Sequence, residues 1–289
     1  MSNSVADILD HINARHRASW TLVRKLSGGY HLGAHELAAA DSTRAVLKWW
    51  PASDAPDELS ATARAVEGAR VAGWPTPTWF AFGALPDGRE YVIEEFIDGS
   101  ELTGISSREV DQLLAANRVQ VDRRPETRRN WSESVWGVVF EGADGVAARM
   151  REHPESARLL RRVEDLTARA RAIRLPSNDL VHGDFGLVNV LVRDGTCYLI
   201  DADHAGRGCR AIDLAELLTS AIVGRYSPEL LDSDARRIKE ESVALIGGAG
   251  LRVCVAATMM GLVAFGLDHS TKASVYIARC HDLLDALEQ

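Results

Sequence analysis

Cysteine chemistry is nearly absent from this sequence. Its four cysteines, Cys197, Cys209, Cys254 and Cys280, form no C-x-x-C pair, so neither a zinc site nor a disulfide framework is indicated. Reduced thiols in a cytoplasmic protein are expected. The nine histidines include no H-E-x-x-H. There is no internal repeat and no low-complexity segment. The start, MSNSVADILDHINARH, lacks a basic segment followed by an apolar run, so no secretory signal is expected. The most apolar run, 251–267, contains Arg252 and is short for a bilayer span, so a buried core helix and no membrane partner are expected. Positive charge is in short supply. Thirty-three basic residues against 41 acidic ones leave a formal net charge of −8, which argues against a broad grip on nucleic acid or anionic membrane. Lysine is scarcest, with Lys25, Lys48, Lys239 and Lys272 against 29 arginines. No G-x-G-x-x-G follows a strand and no Gly-Lys pair occurs, which excludes Rossmann and Walker nucleotide sites.

What is present is an ordinary globular mixture, 46% hydrophobic and 26% charged over 289 residues. That length fits two domains or one bilobal unit. Val5, Ile8, Leu9 and Ile12 recur at helical spacing. Strand-like runs follow at 20–26, 35–40 and 44–49, split by Ser27-Gly28-Gly29 and Asp41-Ser42. A helix is expected over 54–73, stopped by Gly73 and Pro75. Two more strands, 78–83 and 90–94, flank the turn Leu85-Pro86-Asp87-Gly88. Beyond Gly99 the character changes. Helices are expected over 107–116, 132–152, 154–174 and much of 212–287, with short strands at 181–182, 188–192 and 197–200. The fold class is therefore α+β, with a small mainly β lobe over 1–97, a larger mainly α lobe over 98–289, and a site in the cleft between them.

The strongest local signal is Val181-His182-Gly183-Asp184-Phe185-Gly186-Leu187-Val188-Asn189-Val190-Leu191, followed by Tyr198-Leu199-Ile200-Asp201. One carboxylate can take a proton from a hydroxyl. An amide oxygen and a second carboxylate can hold magnesium, a hard ion that prefers oxygen. Phosphoryl transfer needs this combination of positioning and charge neutralisation.

His182-Gly183-Asp184 with Asn189 resembles the catalytic loop of the aminoglycoside phosphotransferase and choline kinase superfamily, small-molecule kinases with a protein-kinase-like fold. The H-G-D-x-x-x-x-N-x-L pattern is matched at every specified position, and Asp213-Leu214-Ala215 resembles the D-L-A helix start that follows. The resemblance implies Asp184 as catalytic base, Asn189 and Asp201 as magnesium ligands, and Asp213 as a buttress of the loop. It implies ATP phosphates under Gly28 and Gly29, although glycines in a plain hairpin would look the same. Lys48, in Val46-Leu47-Lys48-Trp49, would contact the α and β phosphates. Adenine would meet the backbone near Glu95 and Ile97. A helix glutamate should pair with Lys48; the spacing lands near Thr62, leaving Glu58 as the candidate and Glu67 as its rival.

The sequence departs from the pattern at Gly208-Cys209-Arg210, where the family usually reads G-D-P; an altered turn is expected. Asp203 is either a metal or substrate contact or a solvated loop residue. Arg123, Arg124, Arg128 and Arg129 are expected in a solvated loop, Trp131 and Trp136 in core or cleft wall, and His204 in a loop. Asp213 follows Asp201 by only 12 positions, and Gly183 stands where protein kinases carry an arginine. Both features favour a small acceptor over a peptide. The expected activity is ATP-dependent transfer to a hydroxyl of an aminoglycoside or other cationic antibiotic, with Glu101, Asp111, Glu133 and Glu141 as candidate cation-attracting groups. A metabolite kinase acting on choline, homoserine or a sugar is the alternative, and a nucleotide-binding pseudokinase a second one.

Overall fold

The computed structural model describes residues 4–26, 33–51, 57–102, 104–224, 232–269 and 273–288. The chain opens with helix α1 (Val5–His16). Ser4 caps it: its Oγ accepts from Asp7 N (3.2 Å), while the Asp7 carboxylate accepts from Ser4 N (2.9 Å). Strands β1 (Thr21–Lys25), β2 (His35–Ala38), β3 (Arg44–Trp50), β4 (Trp79–Ala84) and β5 (Glu90–Glu95) form one antiparallel sheet in the order β1-β2-β3-β5-β4. Helix α2 (Glu58–Val71) is inserted after β3.

Strand periodicity decides which residues see the cleft. In β3, Ala45, Leu47 and Trp49 are buried with Ile8, Leu9 and Ile12 of α1, together with Tyr91 and Ile93 of β5. Arg44, Val46 and Lys48 alternate onto the opposite face. The β4–β5 turn closes with Gly88 N donating to Leu85 O (3.0 Å) and the Asp87 carboxylate accepting from Arg89 N (3.2 Å).

A short link from β5 reaches β6 (Ser100–Glu101), which already pairs with the helical part of the molecule. That part contains α3 (Ser107–Val119), α4 (Trp131–Phe140), α5 (Val146–Arg151) and α6 (Pro154–Thr167). Strands β7 (Asp179–Val181), β8 (Val190–Arg193), β9 (Thr196–Leu199) and β10 (Gly206–Gly208) follow, then α7 (Ala211–Thr219), α8 (Asp232–His269) and α9 (Ala273–Glu288). β6, β8 and β9 form one small sheet, and β7 and β10 another. Gly99 sits against this region so closely that a Cβ would lie 2.9 Å from Val192 O.

Three expectations need correction. The helix expected over 154–174 stops at Thr167, where a 3-10 turn (168–170) takes over. The helix expected over 132–152 is broken: Gly142, Asp144 and Gly145 all take left-handed backbone, ending α4 at Phe140 and restarting the chain as α5. The strand expected from 188 begins at Val190, because 187–189 form a single 3-10 turn that carries Asn189 into the cleft loop.

The apolar run 251–267 lies in α8, which kinks at Gly247 (φ 71°). By length and composition this helix is apolar enough to cross a membrane. Its Leu251, Val255, Met259 and Val263 are instead buried in one cluster with Leu159 and Val163 of α6 and Cys280 and Leu284 of α9. Met259→Ala is expected to lower the unfolding free energy by about 2–5 kcal/mol, as large-to-small changes in packed cores do. Urea denaturation checks this, and an unchanged midpoint would remove α8 from the core.

Candidate active site

The loop after β7 is held by one face of α7. Asp213 accepts from His182 N (2.8 Å) and Gly183 N (3.1 Å). Glu216, one turn on, accepts from Phe185 N (2.8 Å). Ser220, in the wide turn that ends α7, accepts from Leu187 N (2.9 Å). Residues 213, 216 and 220 share a helical face, so one element fixes four amides of the loop that carries Asp184. The expected buttress Asp213 is thus joined by Glu216 and Ser220, which sequence reasoning missed. Their signal was present as D-x-x-E-x-x-x-S at helical spacing.

Each member of the loop has a physical reason to be what it is. His182 is fully buried; its Nδ1 accepts from Asp184 N (3.2 Å), so Nε2 carries the proton and donates to Ile200 O (3.0 Å). This neutral tautomer ties Asp184 to the segment that ends in Asp201. Gly183 has φ +81°, and a Cβ there would fall 2.1 Å from Trp131 Cζ2. Trp131 donates its Nε1 proton to His204 O (3.1 Å), so the tryptophan fills the space a side chain at 183 would need. Asn189 donates Nδ2 to Asp184 O (2.9 Å), which leaves its carbonyl oxygen as the remaining polar end of the amide. Ile200 N donates to Asn189 O (2.9 Å), closing the loop onto Asp201.

Lys48 projects from β3 to meet the carboxylates of Glu94 and Asp201. Burial works against its charge, but Glu94, Asp201 and Asp203 outweigh it and raise the lysine above its ordinary range. Lys48 and Asp201 are therefore brought together. Glu58 is not with them: its two oxygens accept Arg128 N (2.8 Å) and Arg129 N (3.0 Å), which corrects its assignment as the partner of Lys48. The sequence gives a residue's turn on α2 but not the direction that turn faces, and this one faces the loop before α4. Glu67 pairs with Arg70 (2.6 Å) on the exposed side.

At the link between the two parts, Glu95 N donates to Thr78 O (2.8 Å) and Ile97 O accepts from Gly99 N (2.9 Å). Gly28 and Gly29 lie outside the described residues. The strands flanking that loop are closed by Leu26 N donating to Ala34 O (2.8 Å). Arg210, in the departure from G-D-P, is buried and binds Asn117 Oδ1 (2.6 Å) and Glu241 Oε1 (3.1 Å). It joins the start of α7 to α3 and α8, so the altered turn carries a cross-link. Asp111 pairs with Arg237. Burial pushes the thiols of Cys197 and Cys209 up to about 11, so neither is a nucleophile at neutral pH.

Glu216 also has the Asp184 and Asp213 carboxylates as neighbours. Burial first, then the neighbouring Asp184 and Asp213 carboxylates, raise Glu216 well above the ordinary glutamate range. The native state therefore keeps a proton that an unfolded glutamate releases near pH ~4.3. Its stabilising contribution is complete below that pH and declines as pH rises toward the raised native value. Glu216→Gln is expected to flatten this part of the decline. The comparison is unfolding midpoint against pH for both proteins, and parallel curves would count against a raised Glu216.

A model of the phosphotransferase enzyme family matches residues 23–244. No curated protein matches the chain. Among solved structures, the chain is similar to the aminoglycoside phosphotransferase APH(4)-Ia, seen as a thermostable mutant in ternary complex with AMP-PNP and hygromycin B. The TM-score is 0.67 at 15% identity, over 93% of this chain and 95% of that one. It is also similar to the amicoumacin kinase hAmiN in complex with AMP-PNP, Ca2+ and Ami (TM-score 0.66, 12% identity, 97% and 93% covered). A third is the aminoglycoside phosphotransferase APH(3'')-Id from Streptomyces rimosus (TM-score 0.52, 18% identity, 89% and 99% covered). The family match runs from β1 into α8 and so spans Lys48, Asp184, Asn189, Asp201 and Asp213, and the chain belongs to the phosphotransferase enzyme family as a small-molecule kinase.

Proposed function

We propose that the protein transfers the γ-phosphoryl group of ATP to a hydroxyl of a small cationic acceptor, an aminoglycoside or a related antibiotic. The observation that carries this reading is the joined loop and strand pair. Asp184 is fixed on both sides, by His182 and Asn189, and Asp201 meets Lys48 across the cleft. In this reading residues 1–97 hold the nucleotide, with phosphates under Gly28 and Gly29 and adenine along the backbone at Glu95 and Ile97. Residues 98–289 supply the catalytic loop and the acceptor pocket. The enzyme works in the cytoplasm, where its four buried thiols stay reduced.

Asp184 orients the acceptor hydroxyl and takes its proton as the phosphoryl group moves. Lys48 binds the α and β phosphates. Asn189 and Asp201 suit magnesium, because the Asn189 amide has its NH2 end engaged and its oxygen left over, and both donors are oxygens. When bound there, the ion neutralises phosphate oxygens. A cationic antibiotic as acceptor is supported by the similar structures with hygromycin B and amicoumacin, and by this chain's net charge of −8.

The test is ADP release from MgATP across a panel of aminoglycosides, choline, homoserine and sugars. Turnover is expected with an aminoglycoside or another cationic antibiotic. Turnover confined to choline, homoserine or sugars would move the acceptor to cellular metabolites, and ATP binding without any transfer would leave a pseudokinase. Asp184→Asn is expected to lower kcat by roughly 10²–10⁴-fold, the range for loss of a positioned base. Near wild-type transfer in that variant would sink the assigned role.

A further inference from the structure

A lysine that must present its ammonium to phosphates needs a partner that holds it still. On α2, no glutamate near Lys48 fills this role. Glu58 is engaged by two backbone amides of the loop before α4, and Glu67 by Arg70. α2 is also tied to the helical part through Thr62 Oγ1, which donates to Ala205 O (3.3 Å). The helix is fastened to the far side of the cleft rather than to the lysine.

Two carboxylates do reach Lys48. Asp201 stands on the loop after β9, with left-handed backbone (φ 63°) and a side chain 40% exposed. Glu94 stands inside β5, with a side chain only 5% exposed. The register explains the second contact: Val46 faces Glu94 and Lys48 faces Val92, so Lys48 and Glu94 are diagonal neighbours on the cleft face of two paired strands. Long side chains span that diagonal, and the hydrogen-bond ladder fixes both backbones. Glu94 is a rigid anchor, whereas Asp201 is a loop carboxylate that the phosphotransfer reading already engages elsewhere.

We propose that Glu94 is the positioning residue of Lys48, doing from within the sheet what a helix-borne glutamate would otherwise do. This rests on the phosphotransferase reading, which gives Lys48 its phosphates. Orientation of Lys48 is then set by strand pairing and does not depend on the placement of α2. The helix serves to join the two parts of the molecule through Glu58 and Thr62.

The test uses the full chain and two readouts, ATP affinity by calorimetry and steady-state turnover with an acceptor that the wild type phosphorylates. Glu94→Gln, which keeps size and removes the charge, is expected to weaken ATP binding and raise its KM by on the order of tenfold, the scale of one lost charge-assisted contact. Glu94→Asp should recover part of that loss. In a Lys48→Ala background the same Glu94→Gln change should cost almost nothing, because a positioning residue acts only through the group it positions. Glu58→Gln should shift the unfolding midpoint and move the KM for ATP less than Glu94→Gln does. The inference is overturned if Glu94→Gln leaves ATP affinity and KM unchanged. It is equally overturned if its effect persists without Lys48, or if Glu58→Gln has the larger effect on KM. Should Glu94→Gln fail to fold, Glu94→Asp alone and with Lys48→Ala carries the same comparison. A wild-type protein that neither binds ATP nor transfers phosphate would refute the phosphotransferase reading itself, an outcome separate from any of these.

Discussion

A buried carboxylate at the start of α7 organises the reaction centre. Asp213 has no exposure to solvent, and burial raises its pKa against the pull of the His182 and Gly183 amides that donate to it. A charge in that position is tolerable only because three donors converge on it: the amides of His182 and Gly183, and Gln120 Nε2 (2.6 Å). Those donors come from the residue that ends α3 and from the loop after β7, so satisfying Asp213 forces both toward α7. The rest of the loop then follows the helix, amide by amide, through Glu216 and Ser220. Arg210 and Asn117 extend the same buried network to α8. Position of the Asp184 side chain is thus a consequence of how α7 is anchored.

The opposite wall depends on the sheet. Strand alternation puts Lys48 on the cleft face, and pairing with β5 puts Glu94 beside it. Asp201 meets the same lysine from the helical part, so one ammonium bridges the two halves of the site. Glu58 and Thr62 tie α2 to that same part, at Arg128, Arg129 and Ala205. The two walls are therefore connected both at the chemistry and behind it.

What could be read from the sequence was whatever chain proximity determines. His182, Asp184 and Asn189 lie within one short loop, and their spacing alone carried the resemblance. Lys48 stood out because lysine is rare in this chain. The five sheet strands and α2 were legible from alternation and from Gly and Pro punctuation. Partners set by register or helix phase were not. Glu94 required knowing that β3 pairs with β5 and in which register. Glu216 and Ser220 required knowing which face of α7 meets the loop. Glu58 was misread for the same reason, since spacing along a helix does not say what the helix faces. The break between α4 and α5 was legible in principle, because Gly142 and Gly145 stand three apart in a helix-like run.

The net charge acquires a location. Many of the acidic residues are matched by arginines on the surface and between helices, as in Arg24 and Arg44 with Glu36, Arg118 with Glu241, Arg162 with Asp285, and Arg237 with Asp111. Asp111, a candidate for attracting a cationic acceptor, is among those paired. In the cleft the balance is different. Glu94, Asp201 and Asp203 surround Lys48, while Asp184 and Asp213 gather at the catalytic loop beside Glu216, which keeps its proton. Low-dielectric walls focus such a field, so these carboxylates weigh more in the cleft than an overall charge of −8 would imply. A positively charged acceptor would be drawn toward Asp184 by the carboxylates that build the reaction centre, without a separate acidic patch on the helices around it.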